Sequence, residues 1–190
     1  MEVGGFLCPL SVWYNLIIMN LTYANKKATL ASLAFFAIFV WAAKYIVVDW
    51  ELSLPLAIFY VILILNTYFS VKLFSGITPK DNILQNIIDI ILGTFYVLML
   101  LNLNSPVSFY FLTLALFIFA CMKYTFLLGV IDYPALLKRK IFVDLLGVLG
   151  CVIILALAVF NYSFAGWLFA GGFFIANIFV LWLWPIYRLD

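Results

Sequence analysis

The chain has 190 residues, of which 68% are hydrophobic and 9% charged, with a formal net charge of +2 and no histidine. Soluble domains are about 45–50% apolar and about 25% charged, and a globule this small exposes too much surface to hide so many apolar side chains from water. A mean hydropathy of +1.24 therefore excludes an ordinary soluble domain, a disordered chain and a disulfide scaffold, and points to an all-α integral membrane protein whose first partner is the lipid bilayer.

Residues 1–25 read as a segment of their own. Phe6, Leu7, Leu10, Trp13, Tyr14, Ile17 and Leu21 recur at three- and four-residue steps, the pattern of an amphipathic helix lying in the membrane interface. The segment has no basic start and carries Glu2, which argues against a cleaved signal peptide. Residues 26–190 read as a bundle of six transmembrane helices, over 28–48, 53–74, 83–103, 105–128, 141–160 and 164–184, each near the length of about 20 residues that a bilayer requires. The apolar runs are continuous, as in LPLAIFYVILIL, whereas a transmembrane β-barrel would alternate. Pro55, Pro79, Pro106 and Pro134 stand near the expected helix starts, where a missing N–H costs little.

Orientation follows from the cations. Under the six-span reading, Lys26, Lys27, Lys72, Lys80, Lys123, Lys138, Arg139, Lys140 and Arg188 share one side, and of the ten Lys and Arg residues Lys44 alone falls on the other. The positive-inside rule then places both termini in the cytoplasm. Cys8, Cys121 and Cys151 are odd in number, lack CxxC spacing and sit in apolar surroundings, so they read as small buried hydrophobes rather than a metal or redox site.

A repeat is visible. Ten residues separate Pro79 from Asp89 and Pro134 from Asp144, and each Asp is soon followed by Leu-Gly (Leu92-Gly93, Leu146-Gly147); Pro55 to Lys72 matches Pro106 to Lys123. The pattern suggests three helical hairpins, each entering from the cytoplasm, with Ala34 standing where the first hairpin would have its Asp. The stretches DIILGTFYVLMLLNLNSP and DLLGVLGCVIILALAVFNYS resemble the small six-helix membrane proteins of the HdeD type, associated with acid resistance. That resemblance implies the hairpin architecture and assigns no residue a role; the second and fourth spans lack the repeated glycines of that family.

The chemistry available is narrow. Without histidine the commonest general base and metal ligand is gone, and no GxSxG, HExxH or P-loop pattern is present; no enzyme activity, no cofactor and no nucleic-acid partner is expected. The third span carries the strongest polar signal. Asp81, Gln85 and Asp89 follow one another at i, i+4 and i+8, with Asn82, Asn86 and Gly93 beside them, so one broad helix face runs polar from the surface into the hydrocarbon. A carboxylate at that depth costs about 2.5–3.5 kcal/mol on insertion scales. Asp89 is therefore expected to face the bundle interior and to be satisfied by hydroxyls or amides of neighbouring helices, with Gln85 and Asn86 lining the approach. Asp144 has a partner on its own helix, Lys140 at i−4. In the sixth span Gly166, Ala170, Gly172 and Ala176 form small-xxx-small pairs suited to close helix packing in lipid.

Two functions fit these features. One is a non-catalytic accessory, assembly or stabilising subunit of a larger membrane complex, meeting other integral membrane subunits or copies of itself through its aromatic exterior. The other is a small transporter or channel using a cytoplasm-facing polar cleft around Asp89 and Asp144. The topology has a direct check: reporter fusions at Lys80, Arg139 and Asp190 should report the cytoplasm, and fusions at Glu51, Ser105 and Tyr162 the opposite side. An odd number of crossings would overturn the six-span reading.

Overall fold

The computed structural model describes residues 10–78, 83–131 and 133–183, with side chains from residue 22 to residue 182 of these. They form six α-helices, and no strand occurs among the described residues: α1 Leu10–Tyr45, α2 Trp50–Ile77, α3 Ile83–Leu101, α4 Pro106–Leu127, α5 Pro134–Ala158 and α6 Tyr162–Ile178, the last continuing into a π-helical turn, Phe179–Leu183. Each of the six, α6 together with its π-helical turn, contains a stretch long and apolar enough to cross a membrane.

The helix starts have local causes. Asp49 caps α2, its carboxylate accepting from the amides of Glu51 and Leu52 at 2.9 and 3.3 Å, and Asn161 caps α6 by accepting from the Phe164 amide at 3.0 Å. Such caps satisfy N–H groups that have no intrahelical partner. Pro106 and Pro134 sit in the first turns of α4 and α5. Three boundaries differ from the sequence reading. Capping by Asp49 starts α2 at Trp50 and places Pro55 inside the helix. Pro134 starts α5 early enough that Lys138, Arg139 and Lys140 are helical rather than a preceding loop. And α1 begins at Leu10 and runs unbroken through Lys26 and Lys27, so much of the segment expected in the interface is continuous with the first apolar span.

The helices contact one another as a closed ring in the order α1, α2, α6, α5, α4, α3 and back to α1, with α2 also touching α4 across the middle. Asn104 joins two of the short connections. Its amide nitrogen donates to the Ile46 carbonyl at 2.7 Å, its carbonyl oxygen accepts from the Val48 amide at 3.0 Å, and buried Ser53 donates through its hydroxyl to the Leu103 carbonyl at 2.9 Å. The α1–α2 and α3–α4 turns therefore lie at one end. The α5–α6 turn joins them, because Gly166, one turn into α6, packs against Pro55 near the start of α2.

This end is solid. Phe59 stacks on Phe169 with ring centroids 4.1 Å apart and meets Phe109 edge-on at 5.9 Å, while Tyr110 meets Phe169 edge-on at 5.3 Å. All four rings are buried, and such pairs add about 0.5–1.5 kcal/mol each beyond the area they bury. A smaller cluster of Phe74, Tyr124, Leu127, Ile131 and Leu137 sits at the opposite end.

The small residues of α6 divide. Gly166 and Ala170 are buried against the bundle, and a Cβ added to Gly166 would lie 2.9 Å from Pro55 Cγ. Gly172 and Ala176, expected to pack in the same way, are exposed; a Cβ on Gly172 would meet nothing within 4 Å, because at about 100° per residue both lie to one side of the face that buries Gly166, Ala170, Asn177 and Val180. Gly166→Val should therefore destabilise the fold by about 1–3 kcal/mol through overpacking. Gly172→Val should change stability much less, as read by SDS-titrated unfolding in detergent micelles.

Candidate functional site

The end away from the short turns is polar and hollow. On α3, Gln85, Asp89 and Gly93 share one face, with Gln85 buried and Asp89 half-buried. The Asp89 carboxylate is the meeting point of three helices: Lys123 of α4 donates to its Oδ1 at 2.5 Å, and Lys27 of α1 lies 3.6 Å from its Oδ2. The expectation that Asp89 would be satisfied by hydroxyls or amides is thus corrected to two ammonium groups. The physical reason is reach: a lysine stem lets the charge travel along a neighbouring helix to a carboxylate that its own helix cannot pair.

On α5, Lys140 donates to Asp144 Oδ1 at 2.5 Å, with both side chains almost wholly buried. This i, i+4 spacing is the one that puts two side chains on the same helix face. The other carboxylate oxygen, Oδ2, is buried and accepts no hydrogen bond among the described residues. Tyr124 of α4 stands between the two ion pairs, its ring centre 5.9 Å from the Lys123 ammonium and 5.3 Å from that of Lys140, distances at which an aromatic face attracts a cation. The Tyr124 hydroxyl in turn meets Ser70 of α2 at 2.6 Å. Deeper in, the hydroxyls of Thr67 and Tyr96 bond to each other.

All these groups face one cavity of about 270 Å³, with Leu63, Leu116 and Phe117 among its apolar lining. The candidate polar-site residues named from the sequence on α3 and α5, Gln85, Asn86, Asp89, Lys140 and Asp144, all line it; Asp81 and Asn82 lie outside the described residues. Sequence reasoning missed Lys27, Lys123, Tyr124, Ser70 and Thr67. It read Lys27 and Lys123 only as topological markers, although the spacing shared by Pro106–Lys123 and Pro55–Lys72 had drawn attention to Lys123. Lys72 itself is exposed, 5.8 Å from the Tyr68 ring.

Three ammonium groups, two carboxylates, and a set of hydroxyls and amides recognise charge and hydrogen-bonding groups reversibly. Among the described residues no three His, Cys, Asp or Glu side chains come together as a possible metal site. Comparison with protein families, curated proteins and solved structures finds no match for this chain.

The buried pair makes a sharp prediction. Breaking a buried ion pair from one side costs about 3–5 kcal/mol, whereas replacing both partners by apolar groups is often neutral. Asp144→Leu alone should therefore lower the unfolding midpoint severely, and Lys140→Met with Asp144→Leu should recover most of the loss in the same assay.

Proposed function

We propose that this chain is a multi-pass integral membrane protein with both termini cytoplasmic, built as three helical hairpins, and that it binds a polar ligand in the cavity at its lysine-bearing end as a small carrier. One observation carries the reading: Lys27, Lys123 and Lys140 come from three helices to one cavity that also holds Asp89 and Asp144. Charges at hydrocarbon depth are costly and mark ligand or ion pathways when they line a shared space. The opposite half is filled by Phe59, Phe109, Tyr110 and Phe169, so the arrangement supports a state open on one side and sealed on the other.

The accessory-subunit reading rests on the aromatic exterior. Lipid contact satisfies exposed rings equally well, and the exposed rings of the described residues are spread over α1, α2, α4, α5 and α6 rather than gathered on one face. The cavity therefore favours the carrier reading.

Solvent access tests it. In a cysteine-free background, a cysteine substituted at Ser70, on the cavity wall, should react with a membrane-impermeant maleimide applied from the cytoplasmic side of oriented vesicles. A cysteine substituted at Ser53, buried at the other end, should stay unlabelled from either side. Equal protection of both positions would overturn the open-cavity reading.

A further inference from the structure

A second opening lies beyond the cavity wall. Between α5 and α6 runs an apolar groove of about 650 Å³, whose lining includes Phe142, Ile153, Leu168 and Ile175 with Gly150 and Gly172 among them. A Cβ on either glycine would meet nothing within 4 Å, so these positions leave room rather than close contact. The volume falls in the range of ligand sites, about 300–1,000 Å³. Asn66, Phe117 and Asp144 line both the groove and the polar cavity, so the two spaces share one wall of side chains. Phe117 is held in that wall by contact with Gly147, where a Cβ would lie 2.9 Å from the ring. Around the groove, Leu146, Leu149, Ile153, Phe174 and Ile175 are exposed, which under the membrane reading turns its mouth to the acyl chains.

We propose that the paired spaces hold one phospholipid of the phosphatidylglycerol class, its headgroup in the polar cavity and an acyl chain in the α5–α6 groove; this rests on the ligand-binding reading above and names its substrate class. Charge and hydrogen bonding select the headgroup. The cavity lining sets Lys27, Lys123 and Lys140 against Asp89 and Asp144, an excess of one positive charge that a phosphodiester, singly negative, complements. Asp144 lines the cavity and its buried Oδ2 accepts no hydrogen bond among the described residues, so a small side-chain shift would let it accept from a headgroup hydroxyl. Phosphatidylcholine brings no net charge and no such donor. The groove selects a lipid over a water-soluble phosphate ester, which would gain nothing from burying apolar surface there.

The test uses the full chain in phosphatidylcholine nanodiscs containing a minority of phosphatidylglycerol, followed by mild extraction and native mass spectrometry. One phosphatidylglycerol should be retained in preference to phosphatidylcholine. Gly150→Leu or Gly172→Leu should reduce its retention about tenfold, the effect of denying roughly two methylenes their burial. Gly171→Leu should leave retention unchanged, since Gly171 has equally open surroundings and does not line the groove. Lys27→Gln should lower the preference for phosphatidylglycerol over phosphatidylcholine.

A phosphatidylglycerol carrying a mid-chain diazirine, used on the unaltered protein, should crosslink within residues 142–154 and 168–180. Crosslinks spread evenly over the exposed faces of α1 and α3 would overturn the proposal, as would equal retention of the two lipids. If soluble glycerol phosphate raises the melting temperature while the groove variants change nothing, the lipid assignment fails and the carrier reading stands. If neither molecule is held, the proposal fails, and the labelling at position 70 judges the carrier reading separately.

Discussion

A charge buried among apolar helices has to find its counter-charge inside the protein, and this requirement sets the rotation of the helices at one end of the bundle. The effective penalty for burying an ion is several kcal/mol even after relaxation. Lys140 and Asp144 meet it on a single face of α5, which therefore turns toward α4 and the interior. The same rotation leaves Leu145, Leu146 and Leu149 exposed and brings Gly147 against Phe117. Asp89 does for α3 what Asp144 does for α5, except that its partners come from α4 and α1. In lipid the hydrophobic effect does not draw one apolar helix toward another, so packing, hydrogen bonds and charge must supply direction.

The other end is organised without charge pairs between helices among the described residues. Asn104 ties the α3–α4 connection to that between α1 and α2 through two backbone contacts, and Gly166 lets α6 approach α2 closely at Pro55. Stacked and edge-on rings from α2, α4 and α6 fill what remains. A core of interlocking rings has little freedom to open. The polar end, where three long lysine stems span the gaps, is held by contacts that water or a ligand group can replace one at a time. The two ends are built from different physics, and the polar cavity lies at the second.

How much of this was legible in the sequence depends on distance along the chain. The six apolar helices were visible because each is a continuous local run, and the Lys140–Asp144 pair because its members are one helical turn apart. Asp89 and Lys123 are not close in sequence; their contact exists only because α3 and α4 lie side by side at a particular rotation, which no local pattern encodes. Boundaries slipped where a cap outweighed a proline: the Asp49 carboxylate starts α2 upstream of Pro55. The α6 glycines look alike in a small-xxx-small pattern, yet Gly166 meets a proline ring while Gly172 meets open space. Spacing reports which residues share a face, and it is silent on whether a neighbouring helix is there.

That difference between two glycines bears on why the bundle has a groove. In a water-soluble core, a space left by a missing side chain is a cavity and costs stability roughly in proportion to its volume. Gly150 and Gly172 lie on a seam between α5 and α6 that is bordered by exposed apolar side chains. In a bilayer such a seam is filled from outside by an acyl chain, and the cavity penalty does not arise. On the proposed lipid reading, the small residues on this seam are a recess shaped for an acyl chain rather than close packing between helices. Because Asp144 stands at the inner wall of that recess and also faces the lysine-bearing cavity, the residue that fixes the rotation of α5 is also the one at which the apolar and polar spaces meet.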